Sequence, residues 1–283
     1  MLQRKSTLSI SAAILFAAFL VTTPVASAQA PPPLLPPPQL DKLVERIALY
    51  SDPLLAQVLA AATYPDQIPP ADAWANQHAN LHGDALAQAM QADQLPWDPS
   101  VQALLPFPGV LHMMASDPAW TQELGNAFLA QSPAVMDAVQ RDRRKAYDFG
   151  YLRTNAYYNV ALTGPTIVIN PFNPGLFYVP VYDPAIVYFR PRPGFVVGGA
   201  IGFGGVGISI GGAFAPWGWG AVRFGWGDHT VFIHDHPWTR TWANRGTYVH
   251  PYAARRFEPS RRVEVHKELQ RHEEHRGPEH RGR

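Results

Sequence analysis

The sequence predicts an α+β protein in which an N-terminal bundle of short helices precedes short proline-limited strands, a glycine- and aromatic-rich β segment and a disordered tail. Three observations carry that expectation. Apolar residues recur at helical spacing up to about residue 152, and Asp-Pro or Ser-Pro pairs punctuate them. Beyond that point β-branched and aromatic residues gather in runs of about five between proline-containing turns. Glycine and tryptophan then take over, before a charged C-terminus poor in apolar residues. A hydrophobic fraction of 47% over 283 residues suits a globular body of one or two domains, while 29 prolines exceed ordinary usage.

Residues 1–28 read as a signal peptide. Arg4 and Lys5 form a basic head, Leu8 to Val21 is uncharged and largely apolar, and Ala26-Ser27-Ala28 supplies small residues for cleavage. The alternative is an uncleaved anchor, for which the core is short against the roughly 20 apolar residues of a membrane span. The expectation is export to the periplasm or cell envelope, with a mature chain starting at Gln29. Residues 29–38 then read as a polyproline spacer, Pro31-Pro32-Pro33 and Pro36-Pro37-Pro38 flanking Leu34-Leu35.

Residues 39–152 read as the helical domain. Leu40, Leu43, Val44, Ile47 and Tyr50 fall on one helical face. Asp52-Pro53, Asp98-Pro99, Asp117-Pro118 and Ser132-Pro133 each precede an apolar stripe. The first residue of each pair can accept from orphan backbone N–H groups, and proline loses nothing at the first helical position. Pro70 and Gly83-Asp84 suggest two further starts, giving six or more short helices.

Residues 153–245 read as the β region. Thr166–Asn170, Leu176–Val179 and Ala185–Phe189 are expected strands, separated by Asn170-Pro171, Asn173-Pro174-Gly175, Val179-Pro180 and Asp183-Pro184. From Gly194 to Trp242 lie 13 of the 22 glycines and five of the eight tryptophans. Val206, Ile208 and Ile210 alternate with small residues, and Val222/Phe224/Trp226 with Val231/Ile233 reads as a hairpin around Gly227-Asp228. No charge occurs between Arg192 and Arg223, so residues 194–222 also admit a membrane-associated element, although its glycines disfavour a helix. Residues 246–283 read as a disordered charged tail.

Charge is unevenly spread. The helical stretch from Gln39 to Leu152 holds 13 acidic and 6 basic residues, a net of −7, whereas the final stretch from Pro251 holds 9 basic and 6 acidic ones. That polarity permits contact between halves or attraction of the tail to an anionic surface. Zero cysteines exclude disulfides, thiolate catalysis and thiolate zinc sites. Near-neutral overall charge and the expected export argue against nucleic acid as a partner.

Sequence motifs link the chain to a family. The run from Leu49-Tyr50-Ser51-Asp52-Pro53-Leu54-Leu55 to Tyr64-Pro65 resembles the opening signature of the domain-of-unknown-function 3300 family of exported bacterial proteins. Leu95-Pro96-Trp97-Asp98-Pro99 through Asp137-Ala138-Val139-Gln140 is similar to its middle. Tyr178-Val179-Pro180-Val181-Tyr182-Asp183-Pro184 with Val187-Tyr188 resembles its C-terminal proline-aromatic signature. Ser51 departs from the proline usual there, and Asp148-Phe149-Gly150 replaces a helix end richer in alanine and asparagine. The resemblance supports envelope export and brings no activity, cofactor or catalytic residue with it.

Chemistry-bearing groups are few. His234 and His236 would share a strand face, with His229 across the turn, which makes these three the best metal constellation; a metal-dependent hydrolase built on them is the alternative function. His78 and His82 lie four apart on an expected helix but lack the Glu of a zinc-hydrolase motif. No nucleophile elbow, phosphate loop or paired glycosidase carboxylates occur. No cofactor is expected. The remaining candidates are binding residues: Tyr178 and Tyr182 in an edge strand or polyproline-like ligand, and Trp217, Trp219, Trp226 and Trp238 as stacking surfaces for sugar or peptide. Both sets have a competing reading as internal packing. The leading expectation is a non-catalytic envelope protein that binds another envelope protein or a cell-wall component through its C-terminal half, with outer-membrane association a further alternative.

Overall fold

The computed structural model describes residues 30–191, 198–203, 207–210 and 212–250. The expected signal peptide and the charged residues beyond 250 lie outside them. The described residues from Pro31 onward form one unit, and their helices and strands share a single hydrophobic core.

Helices α1 (Pro37–Val44), α2 (Asp52–Ala62), α3 (Ile68–Gln77), α4 (Gly83–Ala92), α5 (Pro99–Gln102), α6 (Pro108–Ser116) and α7 (Pro118–Asp148) follow in order. Proline sits in the first turn of all of these but α4, where its missing donor removes no hydrogen bond. The Asp98 and Asp117 carboxylates cap as expected, accepting from Ser100 N at 2.9 Å and Trp120 N at 3.1 Å. Pro37 and Pro38 belong to the first turn of α1 and not to the spacer. Ser132-Pro133 opens a new helical segment as expected: Gln131 leaves helical geometry (φ −149°, ψ 46°), so α7 is two helices joined at a kink, where a proline ring cannot fit against the carbonyl four residues earlier.

α2 is the central helix, buried on every side from Leu54 to Ala62, as expected of a segment apolar all round. α7 crosses its C-terminal end at Gly125, where a Cβ would collide with the Ala62 carbonyl. Glycine is required there by backbone proximity.

Strands β1 (Tyr158–Thr163) and β2 (Thr166–Pro171) form an antiparallel hairpin, closed at Thr163↔Thr166 around Gly164 at φ +58°. β3 (Leu176–Phe177) pairs with β6 (Ile208–Ser209), and β4 (Pro180–Tyr182) with β5 (Ile201–Phe203). β7 (Val222–Gly225), β8 (Thr230–Ile233) and β9 (His236–Pro237) form a three-stranded sheet, with Val222 opposite Ile233. Short antiparallel pairs, proline-limited as expected, thus complete an α+β fold. The expected strand Ala185–Phe189 is instead a short helix, α8 (Pro184–Val187), because the Asp183 carboxylate accepts from Ala185 N at 2.8 Å with proline at the first position. The same Asp-Pro device that opens α5 and α7 overrides β-branched composition here.

Buried hydrogen bonds join the two zones. Arg143 on α7 is fully buried. Its Nε donates to Ala48 O at 2.8 Å, one terminal nitrogen to Asp52 Oδ1 at 2.6 Å and Ile167 O at 2.8 Å, and the other to Tyr50 O at 2.9 Å. Asp52 therefore does not cap α2. Its second oxygen accepts from Trp226 Nε1 at 2.8 Å, and the Arg143 guanidinium also lies 5.0 Å from that indole ring.

Candidate functional site

The tryptophans expected to stack on a ligand lie mostly inside the protein. Trp217 and Trp219 are 2% and 3% exposed. Their indole nitrogens donate to Gln102 Oε1 at 2.9 Å and Ala103 O at 3.0 Å, tying this loop to the end of α5. Gly218 between them adopts φ +93° and lies against Ile233 and Gln57, which lets both rings point inward. Trp238 stacks on Phe128 with ring centres 5.1 Å apart, and Trp226 is held by Asp52. Trp217, Trp219 and Trp238 fill the seam between helices and strands, so their faces are not open to a sugar or peptide, while Trp226 is half-buried against it. Residues 207–210 and 212–222 likewise include core members, Phe214 being wholly buried, and Ala200, Ile201 and Phe203 pack partly buried against them. No helix among the described residues is long and apolar enough to cross a membrane.

The histidine constellation does not assemble. His234 and Asp235 both have positive φ (51° and 60°) and make the tight turn between β8 and β9, so His234 and His236 fall on different sides of a turn and not on one strand face. His229 Nε2 contacts Asp137 Oδ1 at 2.8 Å on α7. Among the described residues no three His, Cys, Asp or Glu side chains stand close enough to share a metal ion. His78 and His82 also separate: α3 ends at Gln77, His78 stacks on Trp74, and His82 precedes α4.

The proline-aromatic signature has two faces. Inward, the Tyr182 hydroxyl accepts from Leu49 N at 3.3 Å and the Tyr188 hydroxyl donates to Glu45 O at 2.9 Å. Tyr188 thus satisfies a carbonyl at the end of α1, while Tyr182 engages the loop before α2. Burial pushes both phenols above their ordinary pKa. Tyr178 accepts no such role; its ring lies against Tyr157, centres 4.4 Å apart, and its backbone N–H and carbonyl bond the Tyr158 hydroxyl. Outward, Val181 is 63% exposed and forms part of the wall of a groove of about 860 Å³.

That groove was not anticipated from the sequence. It opens between Val179–Tyr182 on one side, the α3–α4 connection on a second, and the start of α6 on a third, with Ile208 of β6 beside them. Leu86, Leu105, Phe107 and Met113 make its lining apolar, while Arg46, His78, His82, Tyr50, Tyr182 and Ser209 bring polar atoms. Tyr50 donates to Met113 Sδ at 3.8 Å, and burial raises its pKa above that of an ordinary phenol. Among the described residues no carboxylate lines the groove. The only sequence signal was the Tyr-Val-Pro-Val-Tyr run itself; the opposite wall comes from segments about a hundred residues earlier.

No solved structure matches the chain. Over 182 residues it is 37% identical to an uncharacterized protein, YacH, of Escherichia coli (strain K12), an alignment that covers 53% of this chain and 29% of that relative. The chain thus spans less than a third of the relative's length. Residues 37–191, from the first turn of α1 to just past the proline-aromatic signature, match the family described as protein of unknown function (DUF3300). The shared stretch contains the groove's lining from Arg46 to Pro184 but not Gly207–Ser209, and the chain belongs to the DUF3300 family.

Proposed function

We propose that the protein is exported and acts without catalysis, as a binding protein whose site is the groove between the proline-aromatic signature and the helices. The supporting observation is the groove itself: about 860 Å³ places it in the upper range of small-molecule sites, and its lining is mainly apolar with a few polar groups. The reading keeps Tyr182 from the expected binding residues, drops the tryptophans, and draws the site from both halves of the chain, since residues 46–113 supply the facing walls. Export rests on the basic head, apolar stretch and Ala26-Ser27-Ala28 at the amino end.

Both parts are tested directly. The neutral fluorophore N-phenyl-1-naphthylamine should brighten on binding the purified mature chain, and Gly109→Trp should abolish that signal. Gly109 lines the groove and a Cβ there meets nothing within 4 Å, so the new ring fills space without displacing the fold. Equal brightening of the variant and the parent would refute the site. For export, amino-terminal sequencing of fractionated protein should read from Gln29 in the periplasm; an intact Met1 on protein from cytosol would refute it.

A further inference from the structure

The helical part of the chain is acidic, yet among the described residues no carboxylate lines the groove it helps to form. From Gln39 to Leu152 there are 13 Asp and Glu against 6 Lys and Arg. Of the groups that reach the lining, Arg46 is a fixed cation, His78 and His82 are cationic when protonated, and none is anionic. The neighbouring acids stand behind the lining: Asp183 caps α8, and Asp93 accepts from Trp74 Nε1 at 2.8 Å with His78 Nε2 3.9 Å away.

Arg46 is held and not spent. One terminal nitrogen donates to Asp117 Oδ2 at 2.9 Å in an ion pair whose side chains are 43% and 38% exposed. An exposed pair of this kind contributes little net energy, and a guanidinium has further donors in its fork. The bond to Asp117 fixes Arg46 at the groove while leaving it able to receive another oxygen anion. Below it lies the apolar lining of Leu86, Leu105, Phe107 and Met113, flanked by Val179–Tyr182, an extended wall of roughly 13 Å at about 3.3 Å per residue.

From this arrangement we infer that the groove takes an amphipathic carboxylate of the fatty-acid class, its chain against the apolar lining and its head at Arg46. The inference rests on the binding role proposed above and adds the ligand's chemistry. An apolar floor alone would accept any greasy molecule; the fixed guanidinium, with no carboxylate among the described lining residues, selects for a negative head.

The test uses the mature chain loaded with N-phenyl-1-naphthylamine and three displacers that share one alkyl chain: dodecanoate, dodecanol and dodecyltrimethylammonium, each below its micelle concentration. Dodecanoate should displace the fluorophore at a concentration at least about tenfold lower than the other two. Arg46→Gln should weaken dodecanoate about five- to tenfold and leave the neutral fluorophore and dodecanol unchanged. Asp117→Asn retains a side-chain oxygen to cap Trp120 N while freeing Arg46, and should tighten dodecanoate about two- to threefold, an effect a merely structural role for this pair would not give. Equal displacement by all three head groups, or an Arg46→Gln variant with parental dodecanoate affinity, would overturn the inference while leaving the groove as a site. Failure of the neutral fluorophore to bind would overturn both.

Discussion

The Arg143 guanidinium and the Asp52 carboxylate meet at 2.6 Å in the centre of the fold, with side chains 0% and 6% exposed. They come from α7 and α2, but their remaining bonds reach the β region: Arg143 to Ile167 O, and Asp52 to Ile169 N at 3.3 Å and to Trp226 Nε1. One ion pair therefore holds two helices, the β1–β2 hairpin and the β7–β8 turn. Desolvating both charges is costly, and the backbone carbonyls and indole that surround them supply the compensating hydrogen bonds.

Arg143→Met removes the cation and leaves Asp52 buried. It should cost about 3–5 kcal/mol in urea unfolding. Asp52→Asn combined with Arg143→Met should recover part of that loss, because the stranded charge is then gone. Additive losses in this cycle would show that the two groups do not act as a pair.

Gly125→Ala should destabilise the protein by roughly 3 kcal/mol even though alanine is the better helix former by about 1 kcal/mol. The added methyl meets the Ala62 carbonyl, which is backbone and cannot rotate away. A thermal midpoint equal to the parent's would mean that α7 does not cross α2 at this distance.

Local grammar made the helix starts legible, and its limits explain the misses. Asp98 and Asp117 cap where Asp-Pro implied, since a cap needs only residues two or three positions away. Asp52 carries the same dipeptide and does something else, because its partner Arg143 lies 91 residues along the chain. Composition misled at Ala185–Phe189, where Asp183-Pro184 supplied a cap and the run became helical. Residues 246–250, expected in the tail, are held by Asn244 and Asp98. The groove depends on the approach of residues 46–113 to residues 179–209, which no short window of sequence encodes.

Asp142 makes stability depend on pH in an unusual direction. Burial pushes its carboxyl up to about 7, despite a bond from Lys145 Nζ at 2.8 Å, and its Oδ2 has no hydrogen-bond partner. In the unfolded chain an aspartate titrates near 3.9. Between those values the folded state holds a proton that the unfolded state has lost, so this group's contribution falls as pH rises from about 4 through about 7. Asp142→Asn should thus stabilise the protein by about 2–4 kcal/mol at pH 8 and change little at pH 4. Lys145 keeps Asp41 as a partner at 3.0 Å in the variant. A stability difference independent of pH would contradict the assignment.

His250 Nε2 lies 2.5 Å from Asp98 Oδ2 and fastens residues 238–250 to the start of α5, beside Tyr64, over whose ring the Arg240 guanidinium sits at 3.7 Å. Burial alone would raise the Asp98 carboxyl, but bonds from His250 and from the Ser100 hydroxyl and amide outweigh it and hold the pKa below the usual value. A carboxyl depressed on folding contributes stability above its unfolded pKa of about 3.9, and that contribution disappears as pH falls through the folded value. Acid should therefore release this strap. His250→Ala should cost about 2 kcal/mol at neutral pH, the worth of a hydrogen bond to a charged group. It should also speed hydrogen exchange at Trp238 and Tyr248, whose rings stand 6.0 Å apart along the strap, without changing exchange in α2. Faster exchange throughout the molecule would instead make His250 part of the global core, and unchanged exchange at the strap would remove it as the fastening.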